Sequence, residues 1–230
     1  MRRLTLVLVL VLAGVALARI QVTSPKIAET KPRYSIEIVY PRVLIPGNHK
    51  VTRRINEILD REAHAQAASF RKDFNESGKD LPAETPPWTL NSSFAEEYQT
   101  ERLLVFLQSG YLYTGGAHGM PLLDAFIFDL TSGKRVTMAD LYLPGYLEVL
   151  SRYTRQKLQA NQDLIGEKDW IITGTEPKAE NFTVGFPTAQ GIRVVFPPYQ
   201  VAAYASGSPE VLVPYSELSR LARPGTPTRP

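Results

Sequence analysis

Hydrophobic positions along this chain follow two different periods. Between residues 51 and 74, apolar side chains recur at spacings of three and four, which predicts a long amphipathic helix ending at Gly78. The same spacing between residues 147 and 158 predicts a second amphipathic helix. Several shorter stretches alternate with a period of two, which is typical of half-buried strands. These stretches are residues 34–40, 88–98, 126–130 and 182–186.

One apolar run fits neither pattern. Leu103 to Leu107 is continuously hydrophobic, which predicts a central strand covered on both faces. Short connections on either side of it favour antiparallel pairing of residues 88–98, 101–113 and 121–130. Together with the two helices, this predicts an α+β fold in which antiparallel sheets carry two amphipathic helices.

Residues 161–180 show no clean period. This stretch is mostly polar, but Trp170-Ile-Ile172 stands out from it as an apolar triplet. We predict that the triplet inserts into the core from a polar loop.

The first 18 residues have the form of a secretory leader. Met1 to Ala18 has a basic start, an apolar run and a small-x-small ending at Ala16-Leu-Ala18, which predicts cleavage and export to the periplasm, cell wall or extracellular space. The alternative is an uncleaved anchor, although the run is shorter than the roughly 20 residues that a membrane span needs. The rest of the chain is predicted to have three parts. Residues 19–33 are an extended lead-in, residues 34–221 are one α+β domain with sub-lobes at about 34–110 and 111–221, and residues 222–230 are a disordered tail.

Charge and cysteine content narrow the classes of partner. The formal charge of +3 includes Arg2 and Arg3 of the predicted leader; without these two, 24 Lys and Arg stand against 23 Asp and Glu. No dense basic run is present, which argues against a nucleic-acid partner. The chain has no cysteine, so its fold must rest on its core, although export would permit disulfides.

A metal or other cofactor is not predicted. His49, His64 and His118 are the only histidines, and none belongs to a zinc-binding spacing. Asp and Glu are scattered along the chain rather than arranged as a calcium loop.

The stretch from Tyr111 to Gly119 is the most distinctive in the chain. Its glycines permit positive φ angles that other residues avoid, so it predicts a tight loop that holds His118 at the end of a strand. A second strand follows, then a turn at Thr131-Ser-Gly133. Thr137 and Asp140 have the spacing of a helix cap.

Two blocks of sequence resemble a family of bacterial extracytoplasmic domains of unassigned function. The first block runs from Gly115-Gly-Ala-His118 to Asp140-Leu-Tyr142, and the second covers Gly191 to Leu218. That family forms the outer part of a lysozyme-sensing anti-sigma factor and the N-terminal part of a peptidoglycan deacetylase. The resemblance covers about residues 34–221. It implies an exported, non-enzymatic domain, because the deacetylase carries its chemistry in a separate domain.

The resemblance and the excess of tyrosine predict a binding surface for lysozyme or for peptidoglycan glycan. It would be formed by the loop 114–120 and the segment 197–208, since amphipathic rings suit such contacts. The alternatives are that these tyrosines are ordinary packing and that His118 only holds its loop by hydrogen bonding to a carbonyl. The candidate binding residues are Tyr111, Tyr113, Gly115, Gly116, His118, Tyr199 and Tyr204.

Catalysis is a separate hypothesis. An envelope hydrolase could be centred on His118 if Asp124 or Asp129 came within hydrogen-bond reach of the imidazole. The chain has no Gly-x-Ser-x-Gly motif to support a serine nucleophile. A third reading is a structural envelope protein without a specific ligand.

Overall fold

The computed structural model of the protein describes residues 20–227, so the predicted leader lies outside the described residues. Strands are β1 (Gln21–Thr23), β2 (Lys26–Lys31), β3 (Tyr34–Val39), β4 (Arg42–Leu44), β5 (Trp88–Gln99), β6 (Leu103–Tyr113), β7 (Met120–Asp129), β8 (Lys134–Val136), β9 (Gly185–Pro187), β10 (Gly191–Val195) and β11 (Glu210–Pro214). Helices are α1 (His49–Asp73), α2 (Met138–Leu141), α3 (Tyr146–Gln159), α4 (Lys168–Gly174) and α5 (Tyr215–Leu218). The predicted α+β class is confirmed.

A six-stranded sheet organises the first half of the chain. Its strand order is β2-β3-β5-β6-β7-β8. The predicted antiparallel pairing of β5 with β6 and of β6 with β7 is confirmed. β3 and β5 pair in parallel, because α1 crosses between them and returns the chain to the same end of the sheet. A second sheet has the order β11-β10-β9, and β1 pairs with β4.

Helix α1 forms where the period of three and four predicts it. The Asn48 side chain accepts a hydrogen bond from the Val51 amide at 3.2 Å and caps the first turn. One face of the helix is buried from Val51 to Phe70, and a π-helical turn, Phe74–Gly78, ends it. A Cβ at Gly78 would lie 2.6 Å from the Phe74 ring, so this ending requires glycine.

Strand β6 is covered on both faces, as predicted. Leu104 and Phe106 face α1, in the same cluster of buried residues as Ile55 and Leu59. Their neighbours Leu103 and Val105 face the opposite way, into the core of the second half of the chain. The two cores therefore share one strand.

The second half of the chain packs against that opposite face. Leu150, Thr154 and Leu158 of α3 are buried, which confirms the second predicted helix. Leu150 and Leu158 lie in one core with Phe186 and Val213 of the three-stranded sheet.

The connection between β7 and α2 has the predicted turn and cap. Asp129 Oδ1 accepts a hydrogen bond from the Ser132 amide at 2.7 Å, and Gly133 has a φ of +70°. The Thr137 amide donates to Asp140 Oδ2 at 2.8 Å, which closes a capping box at the start of α2.

Part of the predicted extended lead-in, residues 19–33, belongs to the main sheet. Residues 26–31 form β2, an outer strand of the main sheet that pairs with β3 along its whole length. Its side chains are mostly exposed. The pairing uses backbone hydrogen bonds, so an edge strand with little buried surface leaves a weak hydrophobic pattern.

Within the predicted tail, residues 222–230, the residues 222–227 make specific polar contacts. The Arg223 amide donates to the Leu141 carbonyl at 2.9 Å, and the buried Thr226 hydroxyl donates to the same oxygen at 2.7 Å. These residues close the end of α2 through polar contacts, which no hydrophobic period reveals. The last three residues lie outside the described range.

Replacing Phe106 by alanine tests whether β6 joins the two cores. We expect Phe106→Ala to lower the free energy of unfolding by about 3–5 kcal/mol, because it leaves a cavity on the α1 side of the strand. Urea unfolding measures this loss. Lys50→Ala, at an exposed position of α1, is the control and should change the value by less than about 0.5 kcal/mol. A loss for Phe106→Ala no larger than for the control would contradict the prediction.

Candidate functional site

The two predicted loops meet at one place on the surface. His118, in the loop between β6 and β7, has Nε2 at 3.1 Å from the Tyr199 hydroxyl. The Tyr204 hydroxyl donates to the Gly119 carbonyl at 3.0 Å. Residues 80 or more positions apart in the chain thus form one group, which we call the aromatic cluster. Its members are Tyr111, His118, Trp170, Tyr199 and Tyr204.

Ring contacts link four members of the aromatic cluster in a row: His118, Tyr204, Tyr199 and Trp170. The imidazole of His118 stacks on Tyr204 with centroids 3.9 Å apart and planes inclined by 24°. Tyr204 lies 5.6 Å from Tyr199, and Tyr199 lies 6.1 Å from Trp170. These separations lie within or just below the range of favourable aromatic contacts, so the rings support one another.

Hydrogen bonds determine which nitrogen of the neutral His118 ring carries the proton. Nδ1 lies 3.0 Å from the Gly119 carbonyl, an acceptor only, so this nitrogen carries the proton. In the neutral ring, Nε2 then accepts the proton of the Tyr199 hydroxyl. His118 therefore does hold its loop through a carbonyl, as one of the alternative hypotheses states, and it also links that loop to the second one.

Tyr111 joins the cluster through Gly119. The Gly119 amide donates to the Tyr111 hydroxyl at 2.7 Å. A Cβ at Gly119 would lie 2.5 Å from both the Tyr111 ring and the Leu112 carbonyl, so only glycine permits this approach. Burial raises the pKa of the Tyr204 hydroxyl, and the neighbouring hydroxyls of Tyr111 and Tyr199 raise it further.

Tyr199 is held in a strained backbone conformation. Its φ of +70° is the only positive value among the non-glycine residues of the described range. Such a conformation costs on the order of 1–3 kcal/mol in a bulky residue. Neighbouring anchors maintain it: the Gln200 side chain donates to the Gly174 carbonyl at 2.9 Å, and Val201 and Ala202 are buried.

Trp170 corrects an expectation from the sequence. The sequence predicts that the triplet 170–172 inserts into the core, but only Ile171 does so, at 1% exposed, while Trp170 is 40% exposed. The reason is that this stretch forms helix α4, in which successive side chains are about 100° apart. When Ile171 is buried, its two neighbours therefore point outward. Treating this stretch as a helix would have revealed the exposed ring.

The other candidate residues lie around the cluster rather than in it. Tyr113 is on the same face of β6 as Tyr111. Among the described residues, 20–227, its ring makes no contact with the rings of the cluster. Gly115, with φ of +90°, packs beside Leu81 and Trp88. Gly116 is exposed, and a Cβ there would make only an ordinary contact.

Exposure distinguishes the aromatic cluster from the rest of the molecule. In the part of the chain that the structure describes, the aromatic side chains that count as exposed are Tyr111 at 38%, Trp170 at 40% and Tyr199 at 44%. All three belong to the cluster. The other Tyr, Phe and Trp residues of that range are buried or half-buried.

The carboxylates required by the hydrolase hypothesis have other partners. Asp124 pairs with Arg135 at 2.7 Å. Asp129 accepts hydrogen bonds from its own turn and from Arg102. The hydrogen bonds of His118 within the described range go to Gly119 and Tyr199, so the geometry that a histidine–carboxylate pair needs is not found there.

Among residues 20–227, none of the helices combines the length and the apolar character that crossing a bilayer requires. The same residues contain no group of three or more His, Asp or Glu side chains placed to hold a metal ion.

Two family models match consecutive parts of the chain. Residues 27–121 match a family described as deacetylase PdaC, and residues 139–216 match one described as a protein of unknown function (DUF3298). We call these two matched stretches the PdaC region and the DUF3298 region. The predicted resemblance to the N-terminal part of a peptidoglycan deacetylase is thereby confirmed.

Known relatives agree with these matches. The peptidoglycan-N-acetylmuramic acid deacetylase PdaC of Bacillus subtilis is 26% identical over 172 residues, or 73% of this chain. Those residues are 37% of the deacetylase, so the chain spans little more than a third of that relative. A solved DUF3298 structure from Bacteroides fragilis has a TM-score of 0.68 at 18% identity, covering 90% of this chain and 95% of that one. Another, from Pseudomonas aeruginosa, has a TM-score of 0.59 at 19% identity, covering 92% and 96%. Both show the shared fold.

The aromatic cluster spans the two matched regions. Tyr111 and His118 belong to the PdaC region. Trp170, Tyr199 and Tyr204 belong to the DUF3298 region. Neither region alone would contain the surface, which links the cluster to the packing of the two halves on β6.

Backbone strain at Tyr199 can be measured by comparing two replacements. Both Tyr199→Gly and Tyr199→Ala remove the ring, but only glycine adopts positive φ without strain. We therefore expect the glycine variant to be more stable than the alanine variant by about 1 kcal/mol in urea unfolding. Equal stabilities, or a more stable alanine variant, would show that the backbone at this position is not strained.

The structural role of Asp129 predicts a pH-dependent effect. Burial raises the pKa of the Asp129 carboxyl, but hydrogen bonds from Ser132 and Arg102 outweigh burial and bring it below the ordinary 3.8. A lowered folded-state pKa stabilises the protein above the unfolded-state pKa, and this contribution is lost as the pH falls through the folded-state value. Asp129→Asn should cost about 1 kcal/mol at neutral pH, with the difference from wild type narrowing as the pH falls below 3.8 and through the lowered folded-state pKa. Urea unfolding across this range provides the measurement, and a pH-independent difference would contradict the assignment.

Proposed function

We propose that this chain is an exported, non-enzymatic binding module of the bacterial cell envelope, whose aromatic cluster binds the glycan of peptidoglycan. The observation that carries the proposal is the gathering of the three exposed aromatic side chains, Tyr111, Trp170 and Tyr199, in one cluster. Exposed aromatic side chains grouped in one place cost solubility, and such groups mark sites that a ligand or partner covers.

The chemistry of the cluster suits a sugar ring. A pyranose has an apolar face of C–H groups, which packs on an aromatic ring, and hydroxyls at its rim, which hydrogen-bond. The cluster supplies rings together with the hydroxyls of Tyr111, Tyr199 and Tyr204 and the imidazole of His118. Contacts among these side chains hold them in place before a ligand arrives, which lowers the entropic cost of binding.

The family relationship supports an envelope role. The B. subtilis relative is named for deacetylation of N-acetylmuramic acid in peptidoglycan, and this chain matches 37% of its length. The sequence resemblance implies that the deacetylase carries its chemistry in a separate domain, so the part shared with this chain would position such a protein on its substrate. The predicted leader is consistent with export.

Lysozyme, the other predicted partner, is a different class of ligand. The aromatic cluster has no Asp, Glu, Lys or Arg among its members. Its members therefore offer a protein partner rings and hydrogen bonds but no ion pair, although Glu167 lies beside them and accepts a hydrogen bond from the Ala203 amide at 3.4 Å. A neutral glycan fits this surface better.

Binding to insoluble peptidoglycan tests the proposal. Purified protein should sediment with peptidoglycan sacculi in a saturable manner at physiological salt. Trp170→Ala and Tyr199→Ala should each weaken binding about tenfold, a loss of about 1.4 kcal/mol, because each removes an exposed ring from the cluster.

Leu44→Ala is the matched control, since Leu44 is 45% exposed on β4, outside the cluster. It should bind as the wild type does. Titration calorimetry with lysozyme, at low and physiological salt, is run in parallel. Saturable one-to-one binding of lysozyme without retention on sacculi would overturn the glycan proposal, as would equal losses in the control and the cluster variants.

A further inference from the structure

The six-stranded sheet has one face that is only half covered. Along β6, Leu103 and Val105 on this face are fully buried by the second half of the chain. Further along the same face of β6, the side chains of Ser109 and Tyr111 are exposed. The covering layer therefore stops near Ser109 and leaves the rest of the face open.

A groove with a volume of about 330 Å³ lies on this open half. Side chains from the central strands β5 and β6 form its base, which we call the polar floor: Asn91, Ser93 and Ser109. The strand register places Ser93 directly opposite Ser109, and Asn91 directly opposite Tyr111. Paired positions of an antiparallel sheet bring side chains about 5 Å apart, so these groups form one compact polar block.

The polar floor has unused hydrogen-bonding capacity. Within residues 20–227, the side chains of Asn91, Ser93 and Ser109 make no hydrogen bond to another protein group. The opposite face of the same strands differs, because there Gln108 donates to Ser92 at 2.7 Å and to Gln66 at 3.1 Å. Polar groups that pack against α1 are satisfied internally, whereas those of the groove are available to a ligand.

Charge selects among possible occupants of the groove. Glu37 at its side pairs with Lys26 at 2.8 Å, and the polar floor itself is neutral. A phosphate-rich ligand would find no unpaired cation among the residues that line the groove. A peptide could not join the sheet here either, because the backbones of β5 and β6 already pair with neighbours on both sides. Hydroxyl and amide groups on a neutral surface match a neutral glycan.

The groove leads into the aromatic cluster. Tyr111 lines the groove, and its hydroxyl accepts a hydrogen bond from the Gly119 amide beside His118 and Tyr204. Resting on the proposed function, we infer that the polar floor is an extension of the glycan site, so that a chain of amino-sugar units lies with one end on the aromatic cluster and continues over Asn91, Ser93 and Ser109. Short glycans would occupy the cluster alone, and longer ones would also contact the floor.

Affinity as a function of glycan length tests this inference. The purified chain is titrated with N-acetylglucosamine oligomers from dimer to hexamer. In the wild type, affinity should rise with length. Ser93→Ala/Ser109→Ala should bind the hexamer about tenfold more weakly, because two ligand hydrogen bonds are lost, and should bind the dimer unchanged.

The control replaces two exposed serines on the α1 side, Ser69→Ala/Ser77→Ala, and should retain the full dependence on length. Thermal unfolding verifies that both double variants remain folded. Two results would overturn the inferred role of the polar floor and leave the proposed function intact. One is length-dependent binding that survives Ser93→Ala/Ser109→Ala, and the other is binding that requires Trp170 and Tyr199 but does not vary with glycan length. Failure of every oligomer and of peptidoglycan to bind would overturn both.

Discussion

Burial of β6 on both faces is the constraint on which the rest of this structure depends. Leu104 and Phe106 require α1 on one side, and Leu103 and Val105 require the second half of the chain on the other. Each half alone would leave one of these faces in water, at a cost of about 25 cal/mol for each Å² of apolar surface. The shared strand thus couples the PdaC region to the DUF3298 region.

The candidate site is a consequence of that coupling. Beyond the segment that is buried on both faces, β6 is less covered by the second half of the chain and continues toward the loop that carries His118. The segment after β10 reaches the same place from the other half, with Tyr199 in a backbone conformation that its anchors must maintain. Strain in an exposed aromatic residue has no benefit for folding, so it is consistent with a surface shaped for a ligand.

Much of the fold could be predicted because it follows periodic burial. Helix α1, helix α3 and the hairpins around β6 all repeat an apolar pattern that one stretch of chain displays on its own. Strand β2 and residues 222–227 could not be predicted in this way. Backbone hydrogen bonds and the single buried hydroxyl of Thr226 hold them, and neither leaves a hydrophobic period.

For the candidate site, the sequence by itself determined the composition of two loops: glycines that allow Tyr111 to approach Gly119, a histidine between strands, and tyrosines after β10. Only the tertiary structure decided which of them meet. It joined His118 to Tyr199 and Tyr204, left Tyr113 outside, turned Trp170 outward and directed Asp124 and Asp129 to arginines. The physical reason is that local patterns specify how each residue faces its own strand or helix, whereas contacts between residues 80 positions apart depend on how the two halves pack on β6.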